Sequence, residues 1–204
     1  MRLAIAAAAA ALSLALAAPG AAQMPDPVLA EVLADSRRDA DRARDQWRNP
    51  AETLAFFDVR PGMKVVDFMP SGGWFSRIII PYLGEGGTYV GLNPDVGTEG
   101  GPGFFAGMRN YGQTFPAQAR GWVGDTGATV VGGNTGDEAL AAHAGTVDRF
   151  LILREMHNIR RFGWLHDTLV AARTMLKDGG LLGIEQHRAD ADAPAAYVLG
   201  DNGY

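Results

Sequence analysis

The chain contains no cysteine. Disulfides, thiolate metal sites and a lipid anchor on cysteine are thereby all excluded. Long apolar runs are scarce too: only Leu3 to Ala17, made almost wholly of Ala and Leu, extends for about 15 residues, short of the roughly 20 that a bilayer-spanning helix needs. Basic charge is also in short supply. Eighteen Lys and Arg face 23 Asp and Glu, for a net charge of −5. That balance argues against nucleic acid as a partner, because phosphate neutralisation needs a basic face.

The N-terminus reads as a targeting segment. Arg2 supplies a positive start, the apolar run follows, and Ala18-Pro19-Gly20-Ala21-Ala22 gives small residues and a breaker. This predicts a secretory signal peptide over residues 1–22, cleaved after Ala22. The alternative is an uncleaved anchor. The mature chain is expected in the periplasm or secreted, with no stable membrane insertion. Arg2 is the only basic residue of the leader, so the remaining 182 residues carry 17 basic against 23 acidic side chains, a net charge of −6. That length favours one domain and can bury a full core without covalent staples.

Residues 23–62 read as a helical lead. Val28 to Trp47 has a helical pattern, with an apolar stripe of Val28, Leu29, Val32 and Leu33 followed by interleaved charges at Asp35, Arg38, Asp39, Arg42, Asp45 and Arg48. Such a pattern fits a solvated helix face, or an arginine-bearing flap over a ligand. A second helix is expected from Asn49-Pro50-Ala51-Glu52, with Asn49 as cap, Glu52 closing a capping box, and an apolar face of Leu54, Phe56 and Phe57.

Residues 63–204 read as the core. Met63 to Phe68 predicts a buried parallel strand. Pro70-Ser71-Gly72-Gly73 is a tight turn, Trp74 to Leu83 a helix and Thr88 to Leu92 a second strand, together one β-α-β unit. Residues 94–121 are Gly-rich and expected to be a loop, with a short helix over Phe104 to Tyr111. Further strands are expected at Ala128–Val131, Val147–Leu153 and Leu181–Glu185. Helices are expected at Asp137–His143, Trp164–Leu176 and Ala191–Gly200. The alternation predicts a doubly wound, mostly parallel α/β sheet of Rossmann-like type with five strands.

The stretch Asp67 to Gly73 lies where the first strand turns into the first core helix. Open α/β sheets bind ligands outside the carboxyl ends of their strands. Glycines at 72 and 73 let backbone N–H groups approach a ligand, and Asp67 can meet a cationic ligand group. This is not the G-x-G-x-x-G fingerprint, since Met69 and Ser71 stand where glycines would be needed; a nicotinamide oxidoreductase is disfavoured. Three more groups sit at strand ends on the same edge. His157 and Asn158 follow the fourth strand and His187 the fifth, where a His could act as general base. The bland readings are loop-fixing and capping roles. No metal site is expected, because Glu155 and Glu185 lack recognised ligand spacing to these histidines. His143 and His166 are expected at the surface.

Asn49-Pro50-Ala51-Glu52-Thr53-Leu54, followed by VVDFMPSGGWFSRIIIPYL from Val65, resembles a branch of class I S-adenosylmethionine (SAM) methyltransferases with bacterial signal peptides. The resemblance extends through Arg154-Glu155-Met156-His157-Asn158 and Glu185-Gln186-His187-Arg188-Ala189, and covers roughly residues 37–203. It implies methyl transfer from SAM to a small-molecule acceptor, with Asp67, Pro70, Gly72 and Gly73 in the cofactor loop. It also implies that Asn93 stands at the ribose and Asn134 at the adenine edge, two amides in places that usually hold acids; Asp95 follows Asn93 by two residues. The alternative function is a non-catalytic periplasmic ligand-binding protein that keeps the fold. The family's C-terminal antiparallel hairpin is missing, which implies truncation or a sheet that ends early. An early end would expose the edge of the fifth strand to pairing with another chain.

Overall fold

The computed structural model describes residues 26–97, 103–194 and 196–199. The signal peptide expected over residues 1–22 therefore lies outside the described residues. The helical elements are α1 (Pro27–Ala34), α2 (Asp45–Arg48), α3 (Pro50–Phe56), α4 (Ser76–Leu83), α5 (Tyr111–Val123), α6 (Met156–Arg161), α7 (Leu165–Met175) and α8 (Ala196–Leu199). The strands are β1 (Lys64–Phe68), β2 (Thr88–Asn93), β3 (Thr129–Asn134), β4 (Val147–Leu153) and β5 (Leu176–Glu185). They form one sheet in the order β3-β2-β1-β4-β5. Every pairing is parallel. Among the described residues no helix is long and apolar enough to cross a membrane.

The apolar strand runs explain the layering. In β1, Val65 and Asp67 face one side, Val66 and Phe68 the other, and all four are buried. Val65 joins Ile78, Ile79, Tyr89, Phe115 and Leu151 in one core cluster. Val66 and Phe68 join Val90, Leu92, Phe150 and Ile152 in the second. Parallel strands covered on both faces need this near-continuous hydrophobicity. The N-terminal lead is part of the first cluster through Leu29, Leu54 and Phe57.

Several local expectations are corrected. The charged segment after α1 is not one helix. Asp35 has extended backbone (ψ 132°), and its carboxylate accepts the Arg37 N–H at 2.8 Å, offering the chain a local alternative to the helical bond. Two 3-10 turns, Ser36–Arg38 and Arg42–Arg44, then lead into α2. Nor is the segment uniformly solvated: Arg38 is 1% exposed and pairs with Asp45 at 2.8 Å. Asn49 makes no side-chain cap to α3. It is left-handed (φ 40°) and closes α2 instead, its N–H reaching the Asp45 carbonyl at 2.8 Å. Phe56 points to solvent.

Residues 111–123 form a 13-residue helix where a loop was expected. Its buried positions Tyr111, Phe115, Ala119 and Val123 recur every four residues. The turn expected at residues 177–180 is absorbed into β5 as an irregularity: Leu176 pairs with Val147, and Leu181 with Arg149. β5 forms an edge of the sheet, with Leu181, Leu182 and Ile184 exposed.

Candidate active site

The sheet order reverses direction between β1 and β4, the two neighbours whose crossovers leave in opposite senses. A crevice opens outside the carboxyl ends of strands at such a switch point. Here a cleft of about 200 Å³ lies at that position, lined by residues of the turn after β1, the ends of β4 and β5, and the N-terminal lead.

Asp67 ends the cleft's floor. Its side chain shares a sheet face with Tyr89, because Asp67 is in register with Gly91 and Tyr89 lies two residues before it. The Tyr89 hydroxyl donates to Asp67 Oδ2 at 2.6 Å and is 2.8 Å from Ser76 Oγ. Burial pushes the Asp67 carboxyl up to about 7; the Tyr89 hydrogen bond opposes this, and the Glu155 charge adds to it. The turn that follows is strained. Met69 (φ 57°) and Ser71 (φ 50°) both adopt left-handed backbone, so the two positions where the glycine fingerprint is absent take a glycine-like conformation all the same. Met69 N–H donates to the Leu92 carbonyl at 2.7 Å, which fixes the turn against β2.

The opposite wall comes from the end of β4. His157 and Asn158 sit in the first turn of α6, not in a loop as expected. The helix starts there because the Gln186 side chain caps it, its Oε1 accepting the Met156 N–H at 3.1 Å. That bond fixes the Gln186 amide, so its Nε2 must be the donor to His157 Nδ1, 3.1 Å away. Nδ1 is then an acceptor, and the ring proton of His157 lies on Nε2. Glu155 is held from both sides: Ser71 Oγ donates to Oε1 at 2.7 Å and Asn158 Nδ2 to Oε2 at 2.8 Å. His187 lines the same cleft. Burial lowers its pKa, and the Arg154 and Arg48 charges lower it further, which favours the neutral imidazole.

Of the residues singled out from sequence, the cleft gathers Asp67, Pro70, Gly72, His157, Asn158 and His187. It does not gather Gly73, Asn93 or Asn134. Gly73 (φ 72°) packs under Trp122: a Cβ there would lie 2.2 Å from the indole ring. Asn93 is buried at the end of β2. Asn134 is buried too, and its Nδ2 donates to the carbonyls of Pro94 and Met108, both at 2.9 Å. Two nearby acids, Asp95 and Asp137, border a separate groove of about 530 Å³ floored by Leu92, Leu140 and Met175.

Sequence reasoning missed Tyr89, Trp74, Arg44 and Arg154 as parts of the site. Period-two alternation could have found Tyr89, which must face the same side as Asp67. The flap reading of the lead included Arg48 but not Arg44.

No family model matches the chain, and no curated protein matches it. Among solved structures it is similar to a SAM-dependent methyltransferase from Aquifex aeolicus, with a TM-score of 0.54 and 17% identity over 86% of this chain and 87% of that one. An arsenic(III) SAM methyltransferase from Chlamydomonas reinhardtii gives a TM-score of 0.48 and 16% identity over 85% of this chain and 53% of that one. The first likeness, with the five-stranded parallel sheet and its switch-point cleft, establishes the fold: a Rossmann-like sheet of the methyltransferase type.

Proposed function

We propose that this chain transfers a methyl group from SAM to a small-molecule acceptor, and does so outside the cytoplasm. One observation carries the reading: a buried carboxyl, Asp67, stands at the end of β1 in the switch-point cleft, at the place where a cationic ligand group would restore its charge. SAM would supply an electrophilic methyl on a sulfonium and a cationic amino group. The donor set suits such a ligand. Asp67 would accept the ammonium, the Ser71–Gly72 turn would lie along it, and Trp74, Phe75 and Met69 line apolar wall.

The acceptor atom must lose its proton as the new bond forms, and the proton needs a base within hydrogen-bond reach. His187 takes this role because its surroundings favour the neutral imidazole. His157, with its proton on Nε2 and Nδ1 committed to Gln186, orients the acceptor as a donor. Asn158 acts through Glu155, which it holds in place. The leader over residues 1–22 supports export.

The test is thermal unfolding of the purified chain with SAM. Ligand at 100 times its dissociation constant adds about 2.7 kcal/mol, so a clear rise in melting temperature is expected. No shift at millimolar SAM would sink the proposal and leave a binding protein for some other ligand.

A further inference from the structure

The charges around the cleft do not balance. Arg44, Arg48 and Arg154 all line it, and guanidinium groups stay protonated in proteins. The acids there offset them poorly. Asp67 is buried and its ionisation disfavoured. Glu155 is turned to Ser71 and Asn158 and makes no ion pair with an arginine among the described residues. Glu185 approaches Arg154 only at 3.7 Å, and burial raises its pKa.

The neighbouring arginines show that this is local. Within the lead, Arg37 pairs with Asp35, Arg38 with Asp45 and Arg42 with Asp39. Arg77, on α4, pairs with Asp41. Arg44 and Arg48, the two members of this group that face the cleft, make no ion pair or side-chain hydrogen bond among the described residues. Arg48 is held by its face alone, its guanidinium 4.7 Å from the Trp74 ring. A guanidinium fixed over an indole is oriented, and its N–H fork is left to a ligand. Burial makes that charge costlier, as do Arg154 and Arg44 nearby. On the far wall Arg154 adopts left-handed backbone (φ 69°), pinned by its N–H to the Glu185 carbonyl at 2.8 Å. Non-glycine residues keep such a conformation where the surroundings over-determine it, often at ligand clamps.

We infer that the methyl acceptor carries an anionic group, a carboxylate or a phosphate, seated between Arg48 and Arg154 with Arg44 at the rim. This rests on the methyl-transfer reading for the word acceptor; the anion seat itself rests on the arginines. An anion there would satisfy the guanidinium forks bidentately.

The probe is inorganic phosphate, titrated calorimetrically into the full chain at constant ionic strength set with chloride, with and without saturating SAM. Saturable phosphate binding is expected in both cases. Arg48→Gln and Arg154→Gln should each weaken it at least tenfold and leave the SAM affinity within about twofold, while Arg120→Gln, on the exposed side of α5, changes neither. Arg44→Gln, at an exposed position that cannot upset folding, should weaken phosphate severalfold. Non-saturable phosphate binding, or binding indifferent to Arg44 and Arg48, overturns the seat. Competition between phosphate and SAM, with SAM weakened equally by Arg48→Gln, overturns the assignment to the acceptor and gives the seat to the cofactor's own carboxylate. Phosphate binding without any SAM binding overturns methyl transfer and leaves the anion seat standing.

Discussion

The carboxyl ends of β1 and β4 differ sharply from those of β2 and β3. At β1 and β4 the polar side chains turn into a cleft, and several are strained, raised in pKa or left short of protein partners. At β2 the polar side chain, Asn93, is buried away from that cleft, and at β3 it is spent on the protein itself. Asn134 ties two backbone carbonyls together, and α5 packs Phe115 on Tyr89 and Tyr111 on Phe115. Residue type at a strand end therefore says less than what that residue is already bonded to. An amide at the end of β3 looks like a weakened ligand contact in sequence, and in the fold it is a loop fastener.

Three measurements press on this difference. The largest effect belongs to adjacent glycines that belong to opposite regions. Gly73→Ala should destabilise by about 3 kcal/mol, since it adds overpacking against Trp122 to a left-handed backbone cost. Gly72→Ala, with nothing within 4 Å of its added methyl, should stay within about 0.5 kcal/mol. Denaturant midpoints decide, and equal losses would erase the distinction. Next, Asn134→Asp restores the acid expected at an adenine edge. A carboxylate cannot donate to the Pro94 and Met108 carbonyls, so the variant should lose about 2 kcal/mol. An unchanged melting temperature together with tighter SAM binding would show that β3 does serve the cofactor.

The smallest effect is in pH. Asp67 has a folded pKa raised from 3.8 to about 7. Its contribution to stability is complete below pH 4 and is lost as pH rises through 7, because the folded state holds the proton longer. A cationic ligand prefers the ionised form, so SAM affinity should rise from pH 6 towards pH 8, by up to about tenfold per unit below pH 7. Asp67→Asn should flatten both profiles. A flat wild-type profile would remove Asp67 from the binding site.

The sheet was legible because its strands are β-branched runs bounded by turns. Val65-Val66 and the Val147–Leu153 run needed no tertiary information. α5 was obscured because Gly112, Pro116 and Gly121 interrupt its periodicity; its stripe at Tyr111, Phe115, Ala119 and Val123 was present but thin. The lead was read as one helix because its charge spacing suits one, and the local pull of Asp35 on Arg37 N–H leaves no periodic trace. Six cleft residues were found by their places at strand ends. Of the arginines only Arg48 was reached, through the flap reading, since paired and unpaired cations look alike along a chain. Only the acid that Arg38 finds at Asp45, and that Arg48 does not find, separates them.

α4 bears on how the molecule assembles. Ser76, Ile78, Ile79, Ile80, Tyr82 and Leu83 are all buried, which leaves only Arg77 and Pro81 partly open to water. α1 lies over it, though some forty residues separate the two in sequence. A helix this apolar cannot wait in solvent, so its ordering must coincide with the docking of a segment synthesised before it. The lead leaves the ribosome first and has nothing to pack on until α4 arrives. Its closure over α4 is a long-range contact, and a chain shortened to begin at β1 is expected to expose an apolar flank and aggregate.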